Sequence, residues 1–132
     1  MADAPRGTVI RKAHFPGRAP LDAYGNGGFR FAGMSHRGSI LCLPSGIYGW
    51  EPVRHADIDA LTLARVFAEA ATIDILLVGM GPAPARLPVA LRSALREAGI
   101  SADGLSTGAA VRTFNILLAE DRAVAAALIA VD

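Results

Sequence analysis

An apolar run that ends in a glycine turn limits the folds open to this chain more than any other feature. Residues 73–78 carry one polar side chain, Asp74, among five large aliphatic ones. Such a run is typical of a strand that is covered on both faces of a sheet. Gly79 and Gly81 follow at once and predict a tight exit from that strand.

The segment after this turn predicts a helix, a strand and a second helix. Residues 88–98 have apolar positions at helical spacing, and Gly99 is the expected residue just past a helix end. A short strand is predicted at 100–106. Thr107 is then expected to cap a helix that extends to about residue 119. Strands that alternate with helices in this way indicate an α/β layer with parallel strands.

The first half of the chain contains more proline and glycine and predicts shorter elements. Residues 1–20 are expected to be extended, with a short strand at 8–11, and residues 24–28 form a turn signal. Residues 29–32 alternate apolar and polar side chains, and residues 39–43 are a second strand candidate. With a turn over 34–38, these two strands predict an N-terminal hairpin.

Two further segments complete the prediction. A helix is expected to begin at Asp57 and to continue to about residue 71, with one apolar face. Residues 123–131 fit helix by their alanine content and strand by their valine and isoleucine. We predict a strand there, because residues 120–122 resemble a tight turn. The predicted fold class is α/β, with three α/β/α layers plus the hairpin around a mixed, mostly parallel sheet.

Composition limits the function classes. The 132 residues fit one domain spanning 1–132, and 52% hydrophobic residues indicate a packed core. The 13 basic and 12 acidic residues are scattered, so we expect no nucleic-acid partner. The apolar run at 123–131 is too short to cross a bilayer, and no signal peptide is visible, so we expect a cytoplasmic protein without membrane insertion. The single cysteine, Cys42, excludes an internal disulfide and a zinc cluster built on cysteine.

Three motifs occur together and in order, and they carry a resemblance to a known family. They are residues 21–29 (LDAYGNGGF), 76–81 (LLVGMG) and 106–115 (STGAAVRTFN). The chain resembles the small α/β domains that include mitochondrial respiratory complex I assembly factor 3 and its bacterial and archaeal relatives, from about residue 8 to the end. The resemblance implies a three-layer α/β/α fold around a mixed sheet. It implies protein partners, such as components of respiratory or membrane complexes, and it supplies no catalytic residues. Many relatives have cysteine where this chain has Val111, so no thiol chemistry is implied there.

The two predicted strand-to-helix junctions also suggest a ligand site. If strands 73–78 and 100–106 are parallel, both deliver their loops to the same edge of the sheet, where open α/β sheets bind ligands. A helix start there would offer N–H groups and a positive dipole end to an anion. The candidate residues for a small anionic group or an acidic partner segment are Gly79, Gly81, Arg86, Thr107, Gly108, Arg112 and Asn115. The alternative is that Thr107 only caps its helix and that Arg112 and Asn115 satisfy nearby carbonyl groups.

Evidence for catalysis, a cofactor or a metal is weak in the sequence. The dinucleotide fingerprint needs a third glycine at position 84, where this chain has Pro84. His14, His36 and His55 stand singly, without the spacing of metal ligands. No side-chain pair forms a nucleophile with a base. We therefore expect no cofactor, no metal and no catalytic residues.

Tyr48 and Trp50 are expected in an irregular segment, as core residues or as anchors of a protein interface. The leading hypothesis is a non-catalytic binding or assembly protein that acts through protein contacts. The alternative is a binder of a small anionic ligand, or an enzyme, that uses the glycine loops. The sequence indicates no oligomeric state.

Overall fold

The computed structural model describes residues 15–132, which form a mixed α/β fold. The nine strands of this part of the chain are β1 (Phe15–Pro16), β2 (Leu21–Gly25), β3 (Gly28–Phe31), β4 (Met34–Arg37), β5 (Ser39–Leu43), β6 (Gly46–Trp50), β7 (Ile75–Gly79), β8 (Ser101–Leu105) and β9 (Val124–Leu128). Its α-helices are α1 (Ala64–Ala68), α2 (Val89–Glu97) and α3 (Thr107–Ala119). Short 3-10 turns lie at His55–Asp57 and Ala70–Thr72.

Six strands form the main sheet in the order β1-β6-β5-β9-β7-β8. Strand β7 pairs in parallel with β9 on one side and with β8 on the other. The other neighbours, β1 with β6, β6 with β5, and β5 with β9, are antiparallel. The prediction of a mixed α/β sheet is confirmed, but antiparallel pairs outnumber parallel ones. The reason is that β5 and β6 form a tight hairpin, and β9, which is parallel to β7, pairs antiparallel with β5 on its other side.

The helices and a second, smaller sheet cover the two faces of the main sheet. On one face the packing residues include Leu63, which directly precedes α1, Val66 of α1, and Leu91 and Leu95 of α2. On the other face α3 packs through residues that include Phe114, and the three-stranded sheet β2-β3-β4 packs beside it. The predicted three-layer arrangement is therefore confirmed for the described residues.

The predicted hairpin between residues 29–32 and 39–43 is wrong. Ala32 and Gly33 both have positive φ, 51° and 76°, and form a two-residue turn. Strand β3 therefore pairs with β4, which covers most of the segment predicted as a turn. Strand β5 pairs instead with β6 in the main sheet, where residues 47–50 had been expected to be irregular. Alanine rarely adopts positive φ, so its identity did not signal this turn.

The helix expected from Asp57 begins later and is shorter than predicted. The Asp57 carboxylate accepts hydrogen bonds from the N–H groups of Val53 and Arg54, and these bonds lower the pKa of Asp57. The N-cap of α1 is Leu63, which makes no side-chain cap hydrogen bond. In the preceding turn, the Asp59 side chain accepts from the Thr62 N–H at 2.8 Å, while the Thr62 hydroxyl accepts from the Asp59 N–H. This reciprocal pair starts the turn that leads into α1.

The second half of the chain agrees closely with its prediction. Gly99 follows α2 with φ of +87°, and the N–H groups of Gly99 and Ile100 donate to the carbonyls of Arg96 and Leu95. This is the Schellman arrangement expected of a glycine helix end. The predicted strand within 123–131 is confirmed as β9.

Two expectations concern residues outside the described range. The strand predicted at 8–11, and most of the extended segment 1–20, lie there; the assignment of 1–132 to one domain also stays a prediction. None of the helices in residues 15–132 is both long and apolar enough to cross a bilayer.

Candidate functional site

The ends of β7 and β8 lie side by side, as the sequence predicted. Gly79 is the register partner of Leu105 in the parallel ladder. The Met80 N–H donates to the Leu105 carbonyl at 2.8 Å, and the Thr107 N–H donates to the Gly81 carbonyl at 2.8 Å. On the other side of β7, the Ile129 N–H donates to the Gly79 carbonyl at 2.9 Å. Three parallel strands therefore end at one rim, beside the start of α3.

Thr107 ties this rim together and is not the helix cap. Its side chain is fully buried, and its hydroxyl donates to the Ile129 carbonyl at 2.7 Å. The same hydroxyl accepts from the Gly81 N–H at 3.1 Å. The cap of α3 is Ser106, whose hydroxyl accepts from the Ala109 N–H at 3.3 Å. The prediction that Thr107 is the cap is thus wrong by one residue. The hydroxyl of Thr107 instead links the chain exits after β7 and β9.

Gly79 allows α3 to approach the sheet closely. A Cβ atom at this position would lie 2.9 Å from Leu128 Cδ2 and 3.0 Å from the Thr107 Cα. The backbone contact cannot be relieved by a side-chain rotation. The glycine after the apolar run is therefore required by packing.

Gly108 faces a different neighbour. A Cβ atom there would lie 2.4 Å from Tyr24 Oη, so the Tyr24 side chain lies over the first turn of α3. Tyr24 is 42% exposed and belongs to β2 in the smaller sheet. Tyr24 was not predicted at this rim, because nothing local to residues 21–25 indicates which helix the strand will cover.

We expect Gly79→Ala to be destabilising by about 1–3 kcal/mol, because the added methyl group overpacks the contact between α3 and β9. Gly108→Ala is expected to change the free energy of unfolding by less than about 1 kcal/mol. There the exposed Tyr24 ring can move, and alanine favours the helix. Urea unfolding of both variants measures the difference, and equal losses would contradict it.

Asn115 joins α3 to the smaller sheet. Its side-chain oxygen accepts from the Leu21 N–H at 2.9 Å, and its side-chain nitrogen donates to the Leu21 carbonyl at 2.8 Å. This pair mimics a strand neighbour for the start of β2. The observed contact matches the alternative in which Asn115 satisfies nearby backbone groups.

The candidate arginines lie on more peripheral surfaces. Arg112 is exposed on α3, and Arg86 is exposed in the loop before α2, where it lines a cleft beside β8. The structure thus brings Gly79, Gly81 and Thr107 into direct contact, with Gly108 following in α3. A ligand-binding role for the predicted set stays a prediction.

Tyr48 and Trp50 lie in β6 and are 7% and 5% exposed. The Trp50 Nε1–H donates to the Thr62 carbonyl at 2.7 Å. The Tyr48 hydroxyl lies 2.5 Å from Ser45 Oγ, and the Arg65 guanidinium stands 4.1 Å from the centre of the Tyr48 ring. Both side chains therefore pack in the core, and an interface role for them stays a prediction.

Groups suited to metal binding do not come together in the part of the chain that the structure describes: no three His, Cys, Asp or Glu side chains cluster there. Cys42 is buried in β5, and burial raises the pKa of its thiol well above the ordinary value.

Cys42 is expected to resist thiol reagents in the folded protein, because a reagent needs both access and a thiolate. Labelling at neutral pH should be slow in buffer and fast in denaturing urea, where the thiol is exposed. Equal rates in the two conditions would contradict the burial of this side chain.

Comparison with known proteins shows several relatives. The family described as "Protein of unknown function (DUF498/DUF598)" matches residues 21–129. An uncharacterized protein of Rhodobacter capsulatus is 40% identical over 90% of this chain and 90% of its own length. The mouse NADH dehydrogenase [ubiquinone] 1 alpha subcomplex assembly factor 3 is 31% identical over 91% of this chain, which spans 65% of that protein.

A solved structure agrees with the fold. A crystal structure described as an outer membrane protein from Bartonella henselae is 61% identical and superposes with a TM-score of 0.87. The match covers 90% of this chain and 100% of that chain. Sequence and fold together lead to one conclusion: this chain belongs to the DUF498/DUF598 family, and complex I assembly factor 3 is among its relatives.

Proposed function

We propose that this protein is a non-catalytic assembly protein that acts through protein contacts, in a role like that of complex I assembly factor 3. The observation that carries the proposal is the 31% identity to the mouse factor over 91% of this chain. The similarity extends over almost the whole chain rather than a single motif. Similarity of this extent supports a common partner-binding surface on the two proteins.

The hydrogen bonding at the glycine rim supports protein contacts over small-ligand chemistry. The Gly81 N–H is engaged by Thr107, and the Ala109 N–H is engaged by Ser106. The Thr107 hydroxyl has both a donor and an acceptor partner inside the protein. These three groups are therefore already satisfied inside the protein, which gives Gly81, Ser106 and Thr107 a structural explanation.

We place the protein in the cytoplasm, with components of a respiratory or membrane complex as its partners. The proposal is tested by deleting its gene in the organism that carries it and examining membranes by native gel electrophoresis. We expect less assembled NADH dehydrogenase complex, accumulation of a smaller intermediate, and recovery when the gene is restored. An unchanged amount of the complex would overturn the proposal.

A second candidate function is the binding of a small anion at the glycine rim. The parallel ends of β7 and β8 beside the start of α3 support it, since such edges and helix starts favour anions. The proposed contacts with the ligand are Gly79, Gly81, Thr107 and Gly108. The other candidates are Arg86 and Arg112, which lie on more peripheral surfaces, and Asn115, whose side chain bonds Leu21.

NMR titration with inorganic phosphate and with common nucleotides distinguishes the two functions. Shifts of the backbone amides of residues 107–109 that saturate with ligand would favour the anion site. Amides that do not move would remove this candidate and leave the assembly role untouched.

A further inference from the structure

Strand β8 forms one edge of the main sheet, and its outer side has open backbone groups. On the inner side, the Ser101 N–H donates to the Asp74 carbonyl and the Leu105 carbonyl accepts from the Met80 N–H. Because a strand directs alternate residues to opposite neighbours, the N–H and C=O groups of Ala102 and Gly104 point away from β7. Within residues 15–132, no residue forms a hydrogen bond with them.

A groove follows this open edge. It consists of two adjoining clefts of about 330 and 210 Å³ that share Arg92, Ala102 and Asp103. Arg96 lines the first cleft and Arg86 the second. Asp74 also lines the first cleft, so the groove combines unpaired strand backbone with three arginine and two aspartate side chains, and its charge is positive in balance.

The three arginines are available to a partner. All are exposed, and none forms an ion pair or hydrogen bond with a residue of the described range. Arg92 and Arg96 are one turn apart on α2, which places them about 6 Å apart along the helix axis. Alternate residues of an extended strand repeat at about 6.6 Å, so acidic groups at alternate positions match this spacing.

We propose that β8 accepts an extended, acidic segment of a partner protein as an additional strand. The backbone of the segment pairs with Ala102 and Gly104, and its acidic side chains at alternate positions contact Arg92 and Arg96 on the α2 side. Strand addition of this kind takes affinity from backbone hydrogen bonds and specificity from alternate side chains. The inference rests on the proposed function, since it specifies how an assembly partner is held.

The charge on β8 argues against a second copy of this chain as the occupant. Ala102 packs with the core on the α2 side and Leu105 with the core on the α3 side, so Asp103 faces the α3 side. Two β8 strands paired antiparallel about their middle would place the two Asp103 carboxylates opposite each other, which is destabilising. For the same reason, the intervening positions of the partner segment should be basic or neutral.

The test uses a synthetic peptide of about eight residues, the length of an ordinary strand, in which glutamate alternates with threonine. NMR titration of the full chain up to about 1 mM peptide should shift the amides of residues 101–105 and slow hydrogen exchange at Ala102 and Gly104. A peptide of the same composition with its glutamates consecutive, and an alternating peptide methylated on its backbone nitrogens, should bind at least about tenfold more weakly.

Matched charge reversals locate the contact. Arg92→Glu should weaken binding by about tenfold, whereas Arg122→Glu, which changes the net charge equally at an exposed position outside the groove, should alter it by less than about twofold. No binding by the alternating peptide, equal binding by the control peptides, or shifts confined to residues outside β8, α2 and the loop that carries Arg86 would each overturn the inference.

One further comparison separates this inference from the proposed function. In the gene-deletion strain, Arg92→Glu combined with Arg96→Glu should fail to restore the complex, although the variant accumulates normally. Full restoration by this variant would overturn the β8 site and leave the assembly role intact. An unchanged complex in the deletion strain itself would overturn the assembly role, and the peptide titration would still decide the edge contact.

Discussion

Thr107→Val is expected to lower the free energy of unfolding by about 2–6 kcal/mol. Valine has nearly the shape of threonine but lacks the hydroxyl, so the Gly81 N–H and the Ile129 carbonyl both lose their partner in a fully buried site. Each buried group left without a hydrogen bond costs about 1–3 kcal/mol. Urea unfolding monitored by circular dichroism measures the change.

Thr107→Ser is the matched control. It keeps the hydroxyl and removes one methyl group, for which we expect a loss of about 1 kcal/mol. A valine variant that is as stable as the serine variant would show that the hydroxyl does not hold the rim together. The difference between the two variants also separates the contribution of the hydroxyl, which links the chain exits after β7 and β9, from the contribution of side-chain packing.

Trp50→Ala is expected to cost about 3–5 kcal/mol, because the substitution empties a large volume in the core. The indole is 5% exposed, and its Nε1–H is bonded to the Thr62 carbonyl at the segment that leads into α1. The midpoint temperature of thermal unfolding and the midpoint urea concentration should both be lower than in the wild type. Native NMR spectra should show changes at Thr62, whose carbonyl accepts from the ring, and at Ile58, Leu63 and Val66, which belong to the same core cluster.

Two control substitutions separate the loss of core volume from the loss of the hydrogen bond and from the loss of an exposed ring. Trp50→Phe keeps an apolar ring and loses only the hydrogen bond and some volume, so about 1–2 kcal/mol is expected. Tyr24→Ala removes an aromatic ring that is 42% exposed and should cost less than Trp50→Ala. If Trp50→Ala keeps wild-type stability but loses a protein partner, Trp50 is an interface anchor and its core role is wrong.

The second half of the chain was predictable because its signals are local. The apolar run at 73–78, the glycine at 99 and the small polar residues at 106–107 each determine an element or its boundary through the chain's own backbone. The position of Gly79 at a rim followed from the general rule on parallel strands, and the register of Gly79 with Leu105 confirms it.

The first half was predicted less well because its strands depend on distant neighbours. Strand β6 is buried throughout, and its two glycines and two aromatics have no alternating pattern to indicate a strand. Strands β3 and β5 enter different sheets because Ala32 adopts positive φ, a conformation that its residue type disfavours. Tertiary packing overrides such local preferences.

The candidate site was likewise predictable only where its signals are local. The sequence identified Gly79, Gly81, Thr107 and Gly108 as junction residues, but it could not show that the Thr107 hydroxyl bonds to Ile129 or that Tyr24 covers Gly108. Those partners are 22 and 84 positions away in the chain. Similarly, the groove beside β8 combines arginines from a loop and a helix with a strand edge, and only the packed structure brings them together.

By itself, the amino-acid sequence determined the α/β class, the strand-turn-helix order after residue 73, and the family resemblance, because each depends on short-range pattern and residue order. The tertiary structure decided which strands pair, which edge stays open and which polar groups remain available. Hydrogen-bond partners and burial depend on residues that come together only when the chain has folded, so no local sequence pattern indicates them.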